Sequence, residues 1–348
     1  MALTMKKKIT IKDVANKLNV TTSTVSRALN DHHSISDKTK ILVRKTAEEL
    51  NYSPNKVAAS LRSGKGNSIG VIVPKIDSNF MSSCISGIES VAYPAGYNLI
   101  ICQSNETYKR EIHNIQTLID SQVSGILMSL SNETKDSNHL QKIIDKNTPL
   151  VMFDRIADDL DVDFVVNDDY TATKKTIKHL VNQGYKKIAY IGAASHIYVY
   201  KNRLNGYLDS LKEFNLESND AWVVTNINTQ EEAFEVTKKM FKSKDKNNCP
   251  DAFFCTSDIN ALGAMLALEE MGLKIPEDVG VIGYANDQFS RIIKPSLSSI
   301  EQHPKDLGEN SAKILLDLLK QKNPFTKVHK RVIITPDLII RQSSNRKL

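Results

Sequence analysis

From Asn67 onward this 348-residue chain alternates short, continuous apolar runs with longer amphipathic segments, and that alternation leaves few folds open. One set of runs is Ser68–Pro74, Tyr97–Cys102, Gly125–Met128 and Leu150–Phe153, with helical segments such as Ser83–Ala92 and Glu111–Ser121 between them. A second set is Asp163–Val166, Lys187–Gly192, Ala221–Thr225, Ala252–Thr256 and Val279–Tyr284, separated by helices at Ala172–Gln183, Arg203–Phe214, Glu231–Lys242 and Ile259–Met271. Strands that are apolar throughout, not alternately, are buried on both faces, so these belong to parallel sheets covered by helices. Two sets give two doubly wound lobes. In such sheets ligands bind at the carboxyl ends of the strands, which here means the cleft between the lobes.

The first 66 residues follow a different pattern. Thr10 precedes Ile11–Leu18 as an N-cap, with Asp13 placed to complete a near capping box and Val14 and Leu18 on one face. Asn19-Val20-Thr21 interrupts, and Thr21 or Thr22 can cap a second helix, Thr22–Leu29, whose inward face is Val25, Ala28 and Leu29. A third helix starts at a Ser36 or Asp37 cap and carries Val43, Ala47 and Leu50 on its apolar stripe. Two short helices joined by a tight turn and closed by a third describe a helix-turn-helix unit. The outward face of the second helix offers Thr22, Ser23, Ser26 and Arg27, hydroxyls and a guanidinium suited to phosphates and base edges. A plain three-helix bundle with a polar face would share the helices. It would not explain Ser53–Arg62, a Ser-Pro-initiated helix too short to be stable alone, which leads through Ser63-Gly64-Lys65-Gly66 into the large domain.

Charge separates the two parts. Residues 1–66 hold 13 Lys and Arg against five acids, a net of +8, while the rest holds 33 against 35, a net of −2. A basic head on a near-neutral body suits a polyanion, because phosphate contacts release counterions. With 41% hydrophobic and 25% charged residues the chain has a globular composition. No run of about 18 apolar residues exists to span a membrane, and Lys6, Lys7 and Lys8 are not followed by the apolar core of a secretory signal. Cys84, Cys102, Cys249 and Cys255 lack paired spacing and the histidines form no metal motif, so neither metal nor cofactor is expected. A reducing, cytoplasmic setting follows.

The runs Ile11–Ala15, Val20–Asn30, Leu50–Asn55 and Ala58–Arg62 resemble the headpiece and hinge of the lactose/galactose repressor (LacI/GalR) family. The resemblance implies that Thr10, Thr21, Thr22, Ser23, Thr24, Ser26, Arg27, Asn30, Tyr52, Asn55, Ala58, Leu61 and Arg62 face DNA. It implies that Leu61 wedges into the minor groove of a pseudo-palindromic double-stranded operator, with Arg62 beside it. Asn19 stands where glycine is common, a mild departure because Asn tolerates a left-handed backbone.

The likeness continues through Gly192, Arg203–Tyr207, Ala252–Asp258, Gly263-Ala264, Pro276–Val279, Ile282–Tyr284 and Arg341–Ser344. These look like the family's effector domain, itself similar to periplasmic sugar-binding proteins. It implies a DNA-binding headpiece and hinge at 1–66 and an effector-binding and dimerisation domain at 67–348. It implies lobe crossings near Asn167, Leu297 and Lys330, hence a first lobe of about 67–167 plus 298–329 and a second of about 168–297 plus 330–348. The matching effector positions are Phe80, Met81, Ile197, Val199, Arg203, Asn228, Asp258, Ala285 and Asp287. Arg203 could fork onto vicinal hydroxyls or a carboxylate, or form a structural ion pair at a helix start. Asp258 could be effector-facing or only an N-cap. Where the family usually places an aspartate after Gly283-Tyr284, this chain has Ala285. Either Asp287 is repositioned to serve, or the ligand differs from the common pattern, or effector control is lost.

Four functions compete. A dimeric DNA-binding regulator, most simply a repressor, governed by a sugar or sugar derivative accounts for both parts of the chain. A regulator of the same DNA-binding class controlled by a protein partner, or without effector control, shares the head and differs only in its cleft. A secreted binding protein would need a signal peptide and no headpiece. An enzyme would need a motif, and the chain has no phosphate-binding glycine loop, nucleophile elbow or carboxylate cluster.

Overall fold

The computed structural model describes residues 9–52, 66–242, 249–321 and 328–346, in two compact units that meet in sequence at Gly66 and Asn67. The hinge segment Pro54–Arg62, with Asn55, Ala58, Leu61 and Arg62, lies outside the described residues.

The N-terminal unit is three helices: α1 (Ile11–Leu18), α2 (Thr22–Leu29) and α3 (Asp37–Glu49). Each begins where a side chain satisfies the backbone donors that a helix start leaves orphaned. At α1 the Thr10 backbone N–H and hydroxyl both donate to Asp13 Oδ2 at 2.7 Å. At α2 the cap is Thr21, whose Oγ1 accepts from Thr24 N at 3.1 Å, and at α3 it is Ser36, which accepts from Thr39 N. Asn19 ends α1 at φ 51°, the left-handed turn expected of it. Val14, Ala15, Val25, Ala28 and Val43 are buried together, and Leu18, Leu50 and Tyr52 pack against them.

The second unit holds two six-stranded sheets. The first contains β1 (Ser68–Val73), β2 (Asn98–Gln103), β3 (Gly125–Met128), β4 (Leu150–Phe153), β5 (Asp163–Asn167) and β11 (Arg331–Ile334), in the order β11-β5-β4-β3-β1-β2, all parallel. The second contains β6 (Ile188–Ile191), β7 (Val223–Val224), β8 (Ala252–Cys255), β9 (Gly280–Tyr284), β10 (Ser298–Glu301) and β12 (Asp337–Ile339), in the order β12-β10-β9-β8-β6-β7. Only β12 runs antiparallel to its neighbour among these described strands. The helices of the first lobe are α4 (Asn79–Ala92), α5 (Tyr108–Asp120), α6 (Gln141–Asp145) and α11 (Pro304–Leu319); those of the second are α7 (Asp169–Asn182), α8 (Tyr198–Glu213), α9 (Gln230–Met240) and α10 (Asp258–Glu270). Separate apolar clusters lie on the two faces of each sheet, as doubly wound lobes require.

Two of the three lobe crossings differ from those read in the sequence. Asp163–Asn167, whose first four residues the apolar pattern groups with the second set of runs, pairs with β4 and β11 in the first sheet, ahead of the crossing near Asn167. The crossing placed at Leu297 comes after β10, because Ser298–Ile300 register with Ile282–Tyr284 in the second lobe. That strand escapes an apolar-run reading because its buried serines are satisfied by distant partners, Ser298 through the Arg341 backbone and Ser299 through the Asp258 carboxyl. The crossing placed at Lys330 comes after β11, at Thr335-Pro336, where proline has no N–H to extend a ladder. Helix α11 is fixed to the first lobe by close approach: a Cβ on Gly308 would lie 2.0 Å from the Cys84 carbonyl oxygen of α4. At the crossings Asn167 Nδ2 donates to the Gln302 carbonyl at 2.9 Å and Asp168 N to the Ile334 carbonyl at 2.9 Å.

Candidate effector cleft and nucleic-acid interface

A cavity of about 550 Å³ lies where the carboxyl ends of strands from both sheets meet. That is the size of a small-molecule site. Much of its lining comes from segments that follow strands, and residues of α4 and α8 complete it. Lys75 follows β1, Glu106 follows β2, Asn132 follows β3 and Arg155 follows β4. From the second sheet, Asn228 follows β7, Asn260 follows β8 and Asp287 follows β9.

Of the expected effector positions, Phe80, Met81, Val199, Arg203, Asn228, Ala285 and Asp287 line this cavity, while Ile197 and Asp258 do not. Ile197 is buried with Ala194 and Val199 and serves as the residue before α8. Asp258 is neither of the things expected. The cap of α10 is Ser257, whose hydroxyl accepts from Asn260 N at 3.1 Å. Asp258 points behind the cleft wall, accepting from Ser299 Oγ at 2.6 Å, Ser290 Oγ at 2.8 Å and Asp287 N at 2.6 Å. It thereby ties the loop after β9 to α10 and β10. Gly283 is required there, because a Cβ would lie 2.1 Å from Asp258 Oδ1. Burial pushes the Asp258 carboxyl up to about 6 despite those three donors.

Arg203 is 4% exposed and its fork is largely committed to protein. Nε donates to Asp169 Oδ1 at 2.9 Å, Nη1 to the Thr256 carbonyl at 2.9 Å, and the guanidinium lies 3.6 Å from the Tyr284 ring centroid. Tyr284 Oη donates to the same Asp169 oxygen at 2.5 Å. Burial works against the charge on Arg203, and Asp169 and the neighbouring tyrosines outweigh it, so its pKa is raised. The structural ion pair and the cleft wall are one residue.

Arg155 has no counterpart among the sequence-derived candidates. Its Nη1 donates to both oxygens of Glu106 at 3.0 and 2.8 Å, and its Nη2 to Tyr200 Oη of the other lobe at 3.1 Å. The adjacent Asp154 is buried at φ 57°. Its Oδ2 accepts from Ser129 Oγ at 3.4 Å, with Arg155 Nε 4.0 Å away. Burial raises its carboxyl to about 6, with Arg155 and Arg203 acting in the opposite direction. Asn132 crosses the lobes as well: its Nδ2 donates to Asn228 Oδ1 at 3.3 Å, and its carbonyl lies 2.8 Å from His196 Nε2. The loop carrying Asn132 is fixed by buried Glu111, which accepts from Ser131 N at 2.7 Å and Thr134 Oγ1 at 2.8 Å. The strand-end rule, applied to every strand, would have found Glu106, Asn132, Asp154 and Arg155.

In the three-helix unit, Thr22, Ser23, Arg27 and Asn30 are exposed and Ser26 is half-buried, leaving one face of α2 open. The hydroxyls of Thr10, Thr21 and Thr24 are engaged in capping. Tyr52 is half-buried against the unit's core.

The comparisons with known proteins agree along the chain. Residues 10–55 match the model of bacterial regulatory proteins of the lacI family. Residues 66–342 match that of periplasmic binding proteins and the sugar-binding domain of the LacI family. The chain belongs to the LacI family. Among curated LacI-family members, it is 32% identical over 334 residues to the HTH-type transcriptional repressor PurR of Mannheimia succiniciproducens, covering 96% of this chain and 98% of that protein. PurR of Vibrio vulnificus is likewise 32% identical, over 96% and 98% of the two chains. Among solved structures, the lac repressor bound to ONPG in its repressed state superposes with a TM-score of 0.84 at 25% identity, over 97% and 100% of the chains. A CelR–cellobiose complex superposes at 0.72 with 22% identity, over 96% and 99%, a likeness of fold. This LacI-family chain is therefore a DNA-binding transcriptional repressor, and its relatives are repressors, not enzymes. Among the described residues no helix is long and apolar enough to cross a membrane.

Proposed function

We propose that this repressor works as a homodimer in the cytoplasm, with residues 1–66 reading a pseudo-palindromic operator and residues 67–348 sensing a small molecule, a sugar or sugar derivative, between the lobes. The observation that carries the effector reading is the cleft. It is an open cavity to which both lobes contribute polar side chains, and not a dry, collapsed seam of the kind that control by a protein partner would suit. Dimerisation is supported by β2, an edge strand whose Leu99, Ile100 and Ile101 are only partly covered, flanked by exposed Tyr93 on the neighbouring segment and Ile76. An apolar edge strand left open invites pairing.

In this reading Thr22, Ser23, Ser26, Arg27 and Asn30 contact DNA, and Leu61 acts as the minor-groove wedge. Effector binding selects one angle between the lobes, changes the separation of the two hinge segments, and so couples the cleft to the operator. Linkage makes that coupling reciprocal. The test is a thermal-shift screen of the full chain against sugars, sugar acids, sugar phosphates and nucleobases, followed by operator titration with each hit. A ligand that binds the native state raises its melting temperature by mass action. A hit that stabilises the chain and leaves operator affinity unchanged would remove the allosteric role.

A further inference from the structure

The donors and acceptors left over in the cleft define a ligand. Asn260 is 2% exposed and lines the cavity; its Nδ2 donates to the Ile227 carbonyl at 3.1 Å, which fixes the amide and leaves Oδ1 buried without a partner. A similar chain orients Asn132. Asn228 Nδ2 donates to the Asn226 carbonyl, so Asn228 Oδ1 is the acceptor, Asn132 Nδ2 is its donor, and Asn132 Oδ1 is buried without a partner. Asp154 adds a buried carboxyl whose hydroxyl partner is at the outer limit of hydrogen bonding, and Asp287 adds a second carboxyl beside Asn79. Buried acceptors without donors cost free energy until something supplies an O–H or N–H.

The two arginines in the same wall are already engaged. Arg203 is committed to Asp169 and Thr256, and Arg155 to Glu106, the Leu130 carbonyl and Tyr200. Lys75 stands exposed at the rim. Three acids, Glu106, Asp154 and Asp287, line the cavity beside those three cations, and a fourth, Asp169, lies behind Arg203. Ala285 sharpens the point: at φ 108° it lines the wall without a polar side chain. A phosphate or carboxylate placed against Asn260 Oδ1, Asn132 Oδ1 and Asp154 would meet acceptors and a carboxyl where it needs donors.

We propose that the cleft takes an uncharged ligand rich in hydrogen-bond donors, and turns away the phosphorylated or carboxylated form of the same molecule. This rests on the effector reading above and narrows it by charge class. Asn260 Oδ1, Asn132 Oδ1 and Asp154 receive the ligand's donors, while the two arginines shape the wall.

The experiment is calorimetry and thermal shift on the full chain with matched compounds: glucose against gluconate and a hexose phosphate, ribose against ribose phosphate, adenosine against adenylate. At least one neutral member binds, and its anionic partner binds at least about a hundredfold more weakly. Asp154→Asn lowers affinity for that neutral member by about tenfold and narrows the neutral-to-anion ratio. A purely structural role would weaken both partners equally. Asn260→Leu costs neutral binding about as much, with the melting curve of each variant as control for folding. Should either variant fail to fold, the matched ratio on the unaltered chain decides alone. An anion that binds more tightly than its neutral parent overturns the charge class and leaves effector control standing. Silence from every member overturns both.

Discussion

Replacing Arg203 with methionine separates a strut from a ligand reader. Methionine keeps most of the aliphatic stem and removes the guanidinium. Asp169, 1% exposed, would then keep the Tyr284 hydroxyl as its side-chain donor, and the Thr256 carbonyl would lose a donor. Removing one partner of a buried ion pair costs about 3–5 kcal/mol, because the charge left behind is uncompensated. Burial already raises the Asp169 carboxyl, so part of this cost is relieved by protonation. For a unit of roughly 280 residues, with about 2.1 cal/mol/K of unfolding entropy per residue, the loss corresponds to a fall of about 5–8 °C in melting temperature. The sign with pH follows from the same carboxyl. Without Arg203 its folded pKa rises further above the unfolded value, so the variant's deficit shrinks as pH falls through that higher folded pKa. Differential scanning calorimetry between neutral and mildly acidic pH measures both effects, and Asp169→Asn in the variant background should restore part of the loss. A variant that melts within a degree of the parent and has lost effector binding would refute the strut, and would return the guanidinium to the ligand.

Three more outcomes are expected. Arg27→Ala relaxes preference at one operator base pair by about 1–3 kcal/mol in competition binding, whereas an equal loss on all sequences would make Arg27 a phosphate contact. Effector affinity falls below the Asp154 value of about 6, by roughly tenfold at one pH unit lower, if the ligand donates to the carboxylate. The groups acting on that titration are Arg155, Arg203 and Asp169, and an affinity flat across this range would exclude Asp154 as the acceptor. Asp258→Ala leaves the Asp287 N–H without its acceptor and costs about 1–3 kcal/mol. Hydrogen exchange should show the loop after β9 opening, and unchanged protection there would remove Asp258 as its anchor.

The parts legible in the sequence were those governed by local chemistry. Thr10, Thr21 and Ser36 cap helices because a hydroxyl beside free backbone donors acts over a few residues, and Asn19 takes a left-handed turn for an equally local reason. Continuous apolar runs announced β1, β3, β4, β8 and β9, since a strand covered on both faces has no polar positions to give away. What misled was burial achieved by pairing. Strand β10 is Ser-Ser-Ile-Glu, and it looks like a connection until Ser298 and Ser299 find their distant partners. Asp258 sits three residues past a strand and looks like a cap, until Ser290 and Ser299 arrive from other elements.

By itself, then, the sequence determined a basic three-helix head and a body of two doubly wound lobes, because helix caps, periodicity and charge act over short stretches of chain. Tertiary structure alone decided where the chain crosses between lobes and which strand ends share a cavity. It also decided that Arg203 and Arg155 are committed while Asn260 Oδ1 is not. Whether a buried polar atom is satisfied depends on groups scores of residues away, and no local pattern records that pairing.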